Sequence, residues 1–209
     1  MREQRRGRAI AREELAELLW AGEPADRVGH RLAVALSTVR TVLDPDRRAP
    51  ADLIVASARS LALNVAHLTI DAETFDEYAR YGLHALRAGR MSEAAPALEA
   101  AERTYTGDFL EDEPYDDLCA GAREDLRATF LQVARALAEL ARKAGRPDDA
   151  VRYLRRILGT DPYDEPAHQE LVDVLTEHGR HGEARRAHAR YAEAMSEIGV
   201  TVPATLNGA

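Results

Sequence analysis

One short motif recurs three times along the chain and limits what it can fold into. Gly89-Arg90-Met91-Ser92-Glu93-Ala94, Gly145-Arg146-Pro147-Asp148-Asp149-Ala150 and Gly179-Arg180-His181-Gly182-Glu183-Ala184 share glycine, arginine, an acid and alanine at fixed offsets. The second and third glycines lie 34 residues apart, and the first and second 56 apart, so extra chain sits between the first two copies. Each copy lies between stretches with apolar residues at helical spacing. Glycine there predicts a helix end in a left-handed conformation, because a Cβ disfavours that geometry. The acid falls in the first turn of the following helix, where it complements the exposed N–H dipoles. The alanine marks a close crossing of two helices.

A period near 34 with this punctuation predicts tetratricopeptide-like helix pairs. Helices are expected near 72–88, 91–105, 122–144, 147–158, 165–178 and 182–197, with Asp71 capping the first. Pro96 removes a donor inside the second and is expected to bend it. The inserted stretch from Thr106 to Tyr115 reads as an ordered connection pinned by Phe109, Leu110 and Tyr115. The last residues, Thr201 to Ala209, read as a frayed tail.

The front is different. Met1 to Arg8 is arginine-rich and lacks apolar periodicity, which suits a mobile arm or the cut end of something longer. A short helix is expected from Arg12 to Trp20, stopped by Gly22 and Pro24. Asp26 is placed to cap a second helix running to Leu43, with Val28, Leu32, Leu36, Val39 and Leu43 as its apolar stripe. Leu53–Ala56 and Leu61–Val65 read as a small hairpin with a basic tip at Arg59. Two short helices and a hairpin follow the order of a winged helix-turn-helix, whose second helix enters the major groove. The division expected is a partial winged-helix module at 1–65 and a helical-repeat domain at 66–209, a mainly α protein.

Charge follows the same division. Residues 1–50 carry 10 Lys and Arg against 8 Asp and Glu, a formal +2, while the remainder carries 18 against 28, a formal −10. Any contact with a polyanion is therefore expected at the front. The candidate DNA-contacting residues are Arg27, His30, Arg31, Ser37, Thr38 and Arg40 on the second helix, with Arg59 at the hairpin tip. The same side chains also suit a plainly solvated helix face. Trp20 reads as a core anchor.

No catalytic constellation can be placed, so the chain is not expected to be an enzyme. His178, His181 and His188 straddle a helix break without completing a coordination set, and no metal or cofactor is expected. The single Cys119 cannot form an internal disulfide and reads as a small buried residue. No apolar run approaches the roughly 20 residues that span a bilayer. A cytoplasmic location is expected.

Gly107-Asp108-Phe109-Leu110, Pro114-Tyr115 and Asp161-Pro162-Tyr163-Asp164-Glu165 with His168 resemble a known family, as do Arg190-Tyr191 and Glu197-Ile198-Gly199-Val200. They resemble the bacterial transcriptional activation domain (BTAD) of the SARP-type antibiotic-pathway activators. Arg12-Glu13-Glu14-Leu15, Leu18-Leu19-Trp20 and Leu36-Ser37-Thr38-Val39-Arg40 resemble that family's OmpR-type winged helix. The resemblance implies a transcription activator whose front binds direct-repeat promoter DNA and which contacts RNA polymerase.

Three departures accompany it. The family's opening sheet and first helix have no counterpart before Arg12. Ser60-Leu61-Ala62-Leu63 stands where the wing usually reads Gly-Tyr-Arg-Leu, and Thr38 stands where an arginine is usual. They imply a segment of a larger regulator, and weak DNA binding by this chain alone. The other reading is a protein-interaction or self-association module that does not bind DNA.

Overall fold

The computed structural model describes residues 7–112 and 117–202, and for Ala25, Asp26, Asp117 and Leu118 the backbone only. The expectations for the arm before Gly7, for Tyr115 and for the tail beyond Val202 lie outside the described residues. The chain divides into two compact units, Met1–Ile70 and Asp71–Ala209. A 3₁₀ turn at Val65–His67 lies within the first of these units.

The first unit runs β1 (Ile10–Ala11), α1 (Arg12–Leu19), α2 (Ala25–Leu43), β2 (Ile54–Ala56) and β3 (Ser60–Leu63). The strands form an antiparallel sheet in the order β1-β3-β2, with Ile10 opposite Leu61 and Ile54 opposite Leu63. Sequence reasoning found the hairpin but missed β1, since two residues carry no readable alternation. Helix α2 opens at Ala25 behind Pro24, so Asp26 is not its N-cap; its side chain lies outside the described residues.

The apolar stripe of α2 is only partly covered. Leu32 is buried, Val28 and Leu36 are half-buried, and Val39 and Leu43 are exposed. Among the described residues, Leu32, Ile54 and Leu61 are the fully buried apolar side chains of this unit. Trp20 is half-buried rather than a core anchor.

The second unit is helical throughout its regular structure: α3 (Asp71–Arg87), α4 (Met91–Thr104), α5 (Asp117–Lys143), α6 (Pro147–Thr160), α7 (Glu165–Glu177) and α8 (His181–Glu197). Each helix packs on the next. Helix α4 continues through Pro96, whose ring is exposed. Helix α5 begins five residues ahead of its expected start and takes Gly121 into its first turns. The cost of one glycine, about 1 kcal/mol, is small against the packing of a helix this long.

The repeated glycines do what their positions imply. Gly89, Gly145 and Gly179 have φ of +74°, +65° and +70°. In each copy the following arginine's N–H closes back on the helix: Arg90 to Ala85 O at 2.9 Å, Arg146 to Ala141 O at 2.9 Å and Arg180 to Leu175 O at 2.8 Å. This is the Schellman closure of a helix C-terminus. Gly199 repeats it, with φ +76° and Val200 N–H bonded to Met195 O at 2.8 Å. The arginine of each motif also pairs with its own acid, Arg90 with Glu93, Arg146 with Asp149 and Arg180 with Glu183, at 3.2, 3.0 and 2.8 Å. Ala94, Ala150 and Ala184 are buried, as close helix crossings require.

A Cβ added at Gly145 would meet nothing within 4 Å, so a side chain there costs only backbone strain. Gly145→Val should therefore lower stability by at least about 1 kcal/mol through backbone strain. Urea titration reads this directly, and an unchanged midpoint would contradict the cap.

The core of the second unit centres on an aromatic stack. Tyr105 lies against Phe130, ring centroids 4.3 Å apart and nearly parallel, and against Phe75 at 5.2 Å. Arg156 covers the other ring, its guanidinium carbon 4.7 Å from the Phe130 centroid.

Candidate nucleic-acid interface

A helix turns about 100° per residue, so residues three, four and seven apart share a face. On α2 this gathers Arg27, His30, Arg31, Ser37 and Thr38 on one outward face, all exposed. Arg31 is not free: it pairs with Glu23 at 2.9 Å and lies over the Trp20 ring at 5.0 Å. The Thr38 hydroxyl donates to Val34 O at 3.1 Å, its own helix's preceding turn. Arg40 is not part of this set. It sits on the opposite flank and donates to Ile54 O at 3.3 Å, tying the helix to β2.

Arg59 is exposed at the tip between β2 and β3. The tip is fixed by Ser57, whose hydroxyl accepts from the Arg59 and Ser60 N–H groups at 3.1 and 2.9 Å. Arg12 supports it from α1, its Nε donating to Ser57 O at 2.9 Å and its backbone N–H to Arg59 O at 2.9 Å. Sequence reasoning missed this role of Arg12, because the partner lies 45 residues away.

In the second unit the polar residues of the motifs hold helices together. Asp164 is buried, accepts from Ala167 N–H at 3.1 Å as the cap of α7, and pairs with Arg135 of α5. His168 donates from Nε2 to Pro162 O at 2.8 Å and stacks on Tyr191 at 5.3 Å. Tyr191 donates to Glu165, and burial together with that bond raises its phenol above the ordinary range. Tyr163 donates to Glu197 at 3.0 Å.

The stretch from Gly107 to Leu110 is held mainly by polar contacts. Asp108 accepts from Tyr105 at 2.7 Å and pairs with Arg127, which holds its carboxyl below the usual carboxylate range. Arg123 donates to Phe109 O and Leu110 O at 2.9 and 3.2 Å. Phe109 packs on the core, but Leu110 is exposed with φ +52°, so its carbonyl is what secures it. Glu102 is buried and is reached by Arg152 at 3.0 Å and Arg156 at 2.7 Å.

Two of the three histidines His178, His181 and His188 have protein partners. His178 donates to Val174 O at 2.8 Å, and His188 meets the Tyr191 ring edge-on at 6.1 Å. Cys119 is half-buried rather than buried. A groove of about 470 Å³ beside α6, α7 and α8 is lined by Arg155, Leu158, Leu171, Ala187 and Arg190 among others. No helix among the described residues is long and apolar enough to cross a membrane.

The profile of the bacterial transcriptional activator domain matches residues 70–207, which is most of the chain. The chain belongs to this family. Transcriptional regulatory protein EmbR of Mycobacterium bovis and of Mycobacterium tuberculosis are each 25% identical to it. Each alignment spans 96% of this chain and 52% of the relative, so the chain matches about half the length of those proteins. The solved structure of Mycobacterium tuberculosis EmbR in complex with a low-affinity phosphopeptide superposes with a TM-score of 0.67 at 23% identity. It covers 96% of this chain and 53% of that one, and shows a shared fold that includes the front unit as well as the activator domain.

Proposed function

We propose that this chain regulates transcription as an activator in the cytoplasm. In this reading the first unit is a partial winged helix that binds promoter DNA, as direct repeats. The activator domain is a tetratricopeptide-like array that contacts RNA polymerase and serves self-association. The observation that carries it is the outward face of α2, where Arg27, His30, Arg31, Ser37 and Thr38 stand together with no Asp or Glu between Asp26 and Asp44. A net-acidic chain that keeps one helix clear of acids over that length has the charge pattern a phosphate backbone favours. The membership of residues 70–207 in the activator-domain family supports the same role.

Binding is expected to be weak and strongly salt-dependent. If Arg27, Arg31 and Arg59 each neutralise one phosphate, affinity falls roughly 40-fold between about 50 mM and about 200 mM salt. Fluorescence anisotropy of a labelled direct-repeat duplex tests this. A salt-independent signal, or none, would remove DNA binding from the account.

A second reading has its own support. Arg31 is engaged by Glu23 and Trp20, and Arg40 by Ile54 O, as in a unit that only mediates protein contacts. Under that reading Arg31→Ala and Arg40→Ala leave the anisotropy unchanged, whereas DNA contact predicts that Arg31→Ala lowers it and Arg40→Ala acts only through the hairpin.

A further inference from the structure

The outward face of α2 has an unusual middle. Val34 and Val42 are 52% and 73% exposed, and Thr38 and Thr41 lie with them on that face. Both threonine hydroxyls are turned back into the helix, Thr38 to Val34 O at 3.1 Å and Thr41 to Ser37 O at 3.0 Å. A hydroxyl held this way no longer reaches outward as a donor, and the threonine shows solvent its methyl. The strip from Val34 to Val42 is thus a row of branched methyl groups about 12 Å long at 1.5 Å per residue. Arg27 and Arg31 lie at one end of it, and Arg47 and Arg48 follow the other. Burying such a row against protein would not require cations at both ends, and neither threonine hydroxyl has its proton free to donate to a base edge.

Resting on the reading of α2 as the DNA-contacting helix, we infer that this strip selects thymine by contact with its 5-methyl groups. In the major groove thymine is the base that presents an apolar group, and threonine methyls and small aliphatic side chains are its natural partners. A strip of this length spans about three to four base pairs at ~3.4 Å each. The arginines at its ends reach phosphates on either side and supply affinity without sequence information. The preferred site is therefore a short thymine-containing run, rather than the guanines that an arginine in place of Thr38 would read.

Replacing thymine by deoxyuridine removes the methyl and leaves every hydrogen-bonding group and phosphate in place. The whole chain is titrated with two pools of random 30-base-pair duplex, one made with thymine and one with deoxyuridine, and the bound fraction of the first is sequenced. The expected result is enrichment of thymine runs and binding about tenfold weaker to the deoxyuridine pool, as loss of two buried methyl contacts implies. Val34→Ser with Val42→Ser should shrink that ratio towards one while leaving the salt dependence intact. Equal binding of both pools, with the salt dependence of a phosphate contact, overturns thymine selection and leaves DNA binding standing. Retention of neither pool overturns both.

Discussion

Phe130→Ala should lower the stability of the activator domain by about 3–5 kcal/mol, the cost of removing a buried aromatic that its surroundings cannot refill. Phe130 is completely buried in α5 and sits between two partners of different chemistry. One face stacks on Tyr105, and Arg156 lies over the ring. Tyr105 in turn carries the half-buried pair of Asp108 and Arg127, and Arg156 carries the buried Glu102, so the ring joins two ion pairs. Losing it opens a cavity and also frees the arginine that neutralises a buried carboxylate, which adds to the cost. Phe130→Leu fills most of the volume and should cost less than half as much. Chemical denaturation followed by circular dichroism reads both variants. A loss below about 1 kcal/mol for Phe130→Ala would show that the stack is not the centre of this core.

The architecture of the second unit was legible because its signals are local. A glycine that closes a helix, an arginine and acid three residues apart, and an alanine at a crossing all fall within six residues of sequence. The structure places Gly89, Gly145 and Gly179 in the left-handed region and buries Ala94, Ala150 and Ala184. What was illegible is the set of partners brought together from afar. Nothing near Glu102 in sequence marks it for burial, and its partners Arg152 and Arg156 arrive on α6, 50 and 54 residues later. Asp164 caps α7 from beside it, but its pairing with Arg135 is 29 residues removed. Arg40 shows the same limit at the candidate interface. Its side chain is exposed enough to suit DNA, yet its place on the helix circumference points it to Ile54 O. The missed strand β1 and the early start of α5 are failures of a different kind, where two residues give no period and one glycine is overridden by packing.

If the chain binds DNA as proposed, the contact is expected on the outward face of α2 rather than to follow the net charge of the protein. Arg27→Glu and Arg185→Glu change the formal net charge of −8 by the same amount, and both arginines are exposed. Arg27 lies on that face of α2, whereas Arg185 lies on α8 in the acidic second unit. Where Arg27 meets a phosphate, reversing it would replace a charge-assisted contact with repulsion, worth on the order of 10- to 100-fold in affinity. The decisive measurement is the affinity of these two whole-chain variants and the parent for one duplex at one salt concentration. Arg27→Glu is expected to lose binding by that factor while Arg185→Glu stays within about twofold of the parent. Equal losses in the two variants, or a larger loss for Arg185→Glu, would contradict this expectation.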